Sequence, residues 1–175
     1  MSHRKLVFLL ILMVATIRIA PHPLNVTPIG AFALFCGAYL TDKRFLLLPL
    51  AALLIGDVIM GFYTPMVMVG VYAGFALSPL VGRWTMADLR TLPRFVMGVV
   101  LGAVVFYLVS NIGMWWLAYP NTFAGLLACW TEGLPFLLRT LAGDFVYAAV
   151  FFGIVEWHMK TTATTNPRDN AFAER

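Results

Sequence analysis

The run FVMGVVLGAVVFYLVSNIGMWWL, Phe95–Leu117, holds 23 residues without a single charge. At about 1.5 Å per residue, a helix of that length reaches roughly 34 Å, enough to cross the ~30 Å hydrocarbon core of a bilayer. Outward from it lie five further apolar runs: Leu6–Ala20, Val26–Leu40, Phe45–Phe62 and Met66–Val81 before it, and Leu134–Trp157 after it. Each is bounded by charge, Pro or Gly. The first four are shorter than the usual ~20 residues, so they thin the bilayer, recruit flanking residues, or stop where the backbone lines a cavity.

Composition points the same way. The chain of 175 residues is 61% apolar and 11% charged, and its mean hydropathy is +0.86. Soluble domains carry about a quarter charged residues. The expected fold is an all-α integral membrane bundle of six transmembrane helices over residues 1–160, followed by a polar, disordered cytoplasmic tail over 161–175. The net charge of +4 comes from short basic clusters between apolar runs, which argues against a nucleic-acid partner. Ser2-His3-Arg4-Lys5 before an apolar run mimics a secretory signal. Cleavage after Ala20, however, would put Arg18 where a small residue is wanted, so the first helix reads as uncleaved.

The basic residues also orient the bundle, because they concentrate on the cytoplasmic side. Arg4, Lys5, Lys43, Arg44, Arg83, Arg90, Arg94, Lys160, Arg168 and Arg175 share one side, which is ten of the twelve; only Arg18 and Arg139 fall toward the other. Both termini are therefore expected inside. The outer connections, Pro21 to Asn25, Tyr63 to Pro65 and Ala118 to Gly133, are rich in Pro, Asn and aromatics. Within the last, Thr122 to Glu132 reads as a short helix lying against the bundle or dipping into it.

Ionisable groups inside a hydrocarbon span cost on the order of 2.5–3.5 kcal/mol each, so each one asks for a reason. Arg18, Asp57, Arg139 and Asp144 fall at outer-half depth on three different helices, and Asn111 joins them from a fourth. They could brace the bundle as ion pairs, or form the polar wall of a pocket open to the outside. Trp115, Trp116 and Tyr119 follow Asn111 within about two turns, where a ring could stack on a flat solute. Gly70 and Gly74, like Gly98 and Gly102, make small-xxx-small faces for helix contact.

Catalytic arrangements fail. Asp57 and Asp144 each follow a glycine, yet Leu54 and Leu141 stand where a GxGD intramembrane protease has its other glycine. The three histidines lie on opposite sides of the bundle, Cys36 and Cys129 form no CxxC, and there is no GxxxxGK[ST] phosphate loop. No enzyme activity, metal or cofactor is expected.

Several stretches together carry a family resemblance: NVTPIGAFALFCGAY from Asn25 to Tyr39, Gly56-Asp57, NIGMW from Asn111 to Trp115, Tyr119-Pro120 with Gly125-Leu126 and Cys129, and Pro135-Phe136 through Gly143-Asp144 to Tyr147. In order and spacing the chain resembles the substrate-capture S components of energy-coupling factor (ECF) transporters, within an uncharacterised group of bacterial transport proteins. The resemblance implies a six-helix bundle with both termini inside and a solute pocket beneath the outer loops. It also implies a partnership with an ECF transmembrane coupling subunit and ATPases. The chain departs from those proteins on the first helix, where an AxxxA-like face is usual but Ala15 is followed four residues later by Ile19. With the resemblance added, the expected solute-binding residues are Arg18, Asn25, Asp57, Asn111, Trp115, Arg139 and Asp144. The expected function is uptake of a small micronutrient, a vitamin or precursor, across the bacterial inner membrane. A scaffold of the rod-shape morphogenesis type is the alternative.

Overall fold

Prolines mark where three helices begin: Pro49, Pro65 and Pro93 each occupy a first turn, where the missing N–H has no intrahelical partner to lose. The computed structural model describes residues 3–20, 25–40, 47–87 and 91–165. Among the described residues it contains six helices and no strand: α1 (His3–Ile19), α2 (Ile29–Tyr39), α3 (Leu48–Met60), α4 (Pro65–Met86), α5 (Leu92–Ala118) and α6 (Phe123–Thr165). Three of them, α4, α5 and α6, are long and apolar enough to cross a membrane.

Three differences from the sequence reading have a clear physical reason. The fourth helix does not end at Val81 but continues to Met86, because Arg83 is not released to a loop: its guanidinium donates to the Leu40 carbonyl at 2.7 Å. At 22 residues α4 is therefore not a short span. The connection from Ala118 to Gly133 is also not a loop with a separate helix. A single 43-residue helix starts at Phe123 and passes through Pro135, its first turn capped by the Thr122 hydroxyl, which accepts from the Gly125 N–H at 3.1 Å. Finally, α6 carries helix through residues 161–165, assigned above to the disordered tail; residues 166–175 lie outside the described residues.

The core forms around α2. From Pro28 to Gly37 every residue is buried, although the helix has only 11 residues and spans roughly 16 Å. Phe32 and Phe35 meet Phe151 of α6, and Phe35 also meets Phe152 edge-on at 5.6 Å. On its other side α2 lies backbone-to-backbone against α4. A Cβ on Gly37 would collide with the Pro79 carbonyl oxygen, and one on Gly82 with that of Leu34. The antiparallel α4–α5 contact uses the same device: a Cβ on Gly70 would lie 2.7 Å from the Ser110 carbonyl oxygen, and Gly113 sits against that of Met66. Glycine faces of this kind let helices approach closely where lipid offers no hydrophobic drive.

Outward faces are apolar. Val58, Val69, Leu138 and Val146 are each more than 60% exposed, which a water-soluble bundle would hide and a bilayer accommodates. Gly37→Val and Gly82→Val are each expected to cost about 3 kcal/mol or more, because the obstacle is backbone and cannot rotate aside. Gly153→Ala meets open space and should be neutral or stabilising by up to about 1 kcal/mol. Melting of the three purified variants in detergent checks the contrast.

Candidate functional site

The up-and-down order brings the C-terminal ends of α1, α3 and α5 together with the N-terminal ends of α2, α4 and α6. A half-open cavity of about 340 Å³ lies at this end. Arg18 enters it from the last turn of α1, and Asn25 and Thr27 from the chain leading into α2. Asn25 has φ +65°, a left-handed conformation that asparagine tolerates better than most residues. Because α2 begins only at Ile29, this non-helical backbone lines a cavity, one of the three outcomes anticipated for the short spans. Tyr63 contributes from the α3–α4 connection and Ser110 and Asn111 from α5.

The apolar wall comes from two helical stripes. Val67, Val71 and Phe75 recur every four residues on α4, and Phe106, Ser110 and Met114 do so on α5. Phe75 and Phe106 stack at 4.2 Å with 25° between their planes. The sequence reading assigned the pocket to helices one, three, five and six and so missed α4. A signal for it existed in the four-residue spacing, but the same spacing describes any packed helix face.

Behind Arg18 stands Asp57, 1% exposed. The Arg18 Nη2 reaches its Oδ1 at 2.6 Å, and the Tyr72 hydroxyl donates to its Oδ2 at 2.9 Å. The pair depends on Gly56, where a Cβ would lie 2.7 Å from the Arg18 Cδ. Three helices, α1, α3 and α4, are thus tied through one carboxylate. Burial first, and then the charge of Asp57, push the Tyr63 hydroxyl up to about 12, so it remains a protonated donor at physiological pH. Asn111 is held from behind: its Nδ2 donates to the Tyr107 carbonyl at 2.8 Å, and the Cys129 thiol approaches its Oδ1 at 3.7 Å.

The other three expected site residues do different work. Asp144, 3% exposed, presses against Gly30, and its carboxylate accepts the Ala31 N–H. It therefore caps the N-terminus of α2, where no side chain of α2 itself does so. Arg139 is exposed, and its guanidinium lies 5.9 Å from the centroid of the Phe136 ring. Trp115 donates its indole N–H to the Pro120 carbonyl at 2.9 Å, locking the α5–α6 turn. Asp144 and Arg139 do not pair with each other. The common depth read from the sequence thus divides into one ion pair beside a cavity and one helix cap. Arg18, Asn25 and Asn111 line the cavity, Asp57 backs it, and Trp115, Arg139 and Asp144 do not line it.

A second hollow of about 410 Å³ opens between α4 and α5. Its lining, from Met66 and Gly70 to Ile112 and Trp116, is wholly apolar. With no polar group to orient a ligand it is the weaker candidate despite its size. Among the described residues no group of three or more His, Cys, Asp or Glu could hold a metal.

Truncating Asp57 to Leu takes away the charge partner of Arg18 and should cost roughly 3–5 kcal/mol, while the double change Arg18→Met with Asp57→Leu should cost clearly less than the sum of the single changes. Asp144→Ala should cost about 1–2 kcal/mol through the lost cap. Chemical denaturation of the four variants in a mild detergent measures all of these.

No curated protein and no solved structure matches the chain. One family model does, over residues 2–166, which is nearly its whole length and includes every residue of the cavity and of both buried acids: the chain belongs to DUF6580, a family of unknown function.

Proposed function

We propose that this protein is a membrane-embedded binding subunit that captures a small micronutrient, a vitamin or its precursor, for uptake. The observation that carries this reading is the half-open cavity of about 340 Å³, within the usual size range of small-molecule sites. It combines a few converging polar groups, Arg18, Asn25 and Asn111 among them, with a stacked aromatic wall. It also sits at the charge-poor end of the bundle, opposite Arg83 and Arg94, which the positive-inside rule makes the outer end. In this arrangement all six helices traverse the bacterial cytoplasmic membrane, both termini are inside, and α2 and α3 complete their crossings with non-helical flanks.

Among the described residues no catalytic set accompanies the cavity, and in this reading binding is capture without chemistry. The 175 residues carry no phosphate loop, so concentrative uptake draws its energy from elsewhere, and the resemblance noted above names an ECF-type coupling subunit with its ATPases as the source. A scaffold reading has one observation in its favour: Asp57 is satisfied within the protein by Arg18 and Tyr72, as a purely structural brace would be.

Thermal melting of the reconstituted protein against a panel of vitamins and precursors separates the two. A ligand at a hundredfold excess over its Kd stabilises by about 2.7 kcal/mol. Val71→Trp, which fills the cavity from α4, should abolish that gain while leaving the unliganded protein folded. If no compound raises the melting temperature, the scaffold reading takes over. The orientation has its own check: single cysteines at Thr64 and Asn121 should react with an impermeant thiol reagent on intact cells, and one at Thr91 should not. Labelling of position 91 alone would invert the bundle.

A further inference from the structure

Charge balance at the cavity defines the class of solute. Among the described residues Arg18 is the one charged side chain that lines the cavity, and by itself it would mark an anion site. Its charge is already answered: Asp57 meets it at 2.6 Å, and the Tyr72 hydroxyl holds the second carboxylate oxygen at 2.9 Å. The other polar lining groups, Asn25, Thr27, Tyr63, Ser110 and Asn111, are neutral. Arg139 is exposed and not among the lining residues, and the Asp144 carboxyl is turned to the N-terminus of α2.

An entering carboxylate would compete with Asp57 for one guanidinium and leave a net negative charge in a low-dielectric site. An ammonium group would meet Arg18 directly. Both arrangements bury an uncompensated charge, which is the costly case. An uncharged solute meets neither penalty, because amide and hydroxyl donors and acceptors match the neutral polar end, and the stacked Phe75 and Phe106 offer apolar contact to a ring.

We infer that the cavity takes an uncharged, ring-bearing solute with amide or hydroxyl groups and rejects its carboxylate and ammonium congeners, Asp57 serving as the internal counter-ion that makes it so. The inference rests on the cavity being the solute site. Asp57 is then a specificity-determining residue that never touches the ligand.

The test needs no knowledge of the ligand. Ser110→Cys, a near-isosteric change in the cavity wall, supplies a thiol whose modification is read at that position by peptide mass spectrometry, so Cys36 and Cys129 stay in place. Three methanethiosulfonates are compared: methyl (neutral), sulfonatoethyl (anionic) and trimethylammonioethyl (cationic), each rate divided by the same reagent's rate on free cysteine. The neutral reagent should lead both ions by about tenfold or more, and the two ions should react at similar rates. Adding Asp57→Asn should then favour the anionic reagent over the cationic one by about tenfold. An anionic reagent that already outruns the neutral one in Ser110→Cys alone would overturn the inference, and this arm does not depend on how well Asp57→Asn folds. A thiol silent to the neutral reagent until the protein is denatured would instead remove the cavity as a solute site, and the inference with it.

Discussion

The backbone of α2 is the constraint around which the bundle is arranged. An 11-residue helix buried from its start to Gly37 leaves N–H groups at one terminus and C=O groups at the other with no partner inside the helix, and neither lipid nor a dry core provides one. The protein answers both ends with polar side chains from other helices. The Asp144 carboxylate of α6 accepts from Ala31 at the N-terminus, and the Arg83 guanidinium of α4 donates to Leu40 at the C-terminus. The Arg83 cation also suits the negative, C-terminal end of the helix dipole. Two residues that read as a pocket group and a loop charge are therefore the clamps of the central helix.

The Arg83 clamp works only if α4 can come close enough to α2, which is the purpose of the glycines at the crossing. Gly37 faces the Pro79 carbonyl and Gly82 that of Leu34, so each helix presents a glycine to the other's backbone. Pro79 fits the same logic, since its missing N–H relaxes the hydrogen-bond ladder of α4 at the point of contact. With α2 seated in this way, α4 and α5 close antiparallel through Gly70 and Gly113, and the space that remains between the α4 and α5 stripes and the α1–α2 connection is the cavity.

A second charged device governs the cavity end. Asp57 joins α1 and α4 to α3 through Arg18 and Tyr72, and the pair has two consequences. It holds the helix ends that frame the opening, and it cancels the charge that Arg18 would otherwise show to a solute. Under the proposed function bracing and binding are compatible descriptions of the same residues, because the brace sets the electrostatics of the cavity. Buried ion pairs contribute little net stability because desolvation offsets attraction, so a role in the chemistry of the cavity is a physical reason to keep one there.

Local pattern in the sequence was enough to determine a helical membrane-type chain, the order of its six apolar segments, the glycine faces on α4 and α5, and Arg18, Asp57 and Asn111 as residues in need of an explanation. Uncharged length, helical spacing and the cost of burying charge are properties of a segment and its composition, so they can be read before folding. The partners could only come from tertiary structure. Arg18 chose Asp57, Asp144 chose the N-terminus of α2, and Arg139 chose the face of Phe136, although at equal depth all four charges were equivalent on paper. Helix rotation and crossing decide such pairings, and they follow from where the backbones can meet, at Gly37 and Gly82 above all. The same holds for the α4 wall of the cavity, since a stripe of Val67, Val71 and Phe75 lines a cavity only when the opposing stripe of α5 leaves room in front of it.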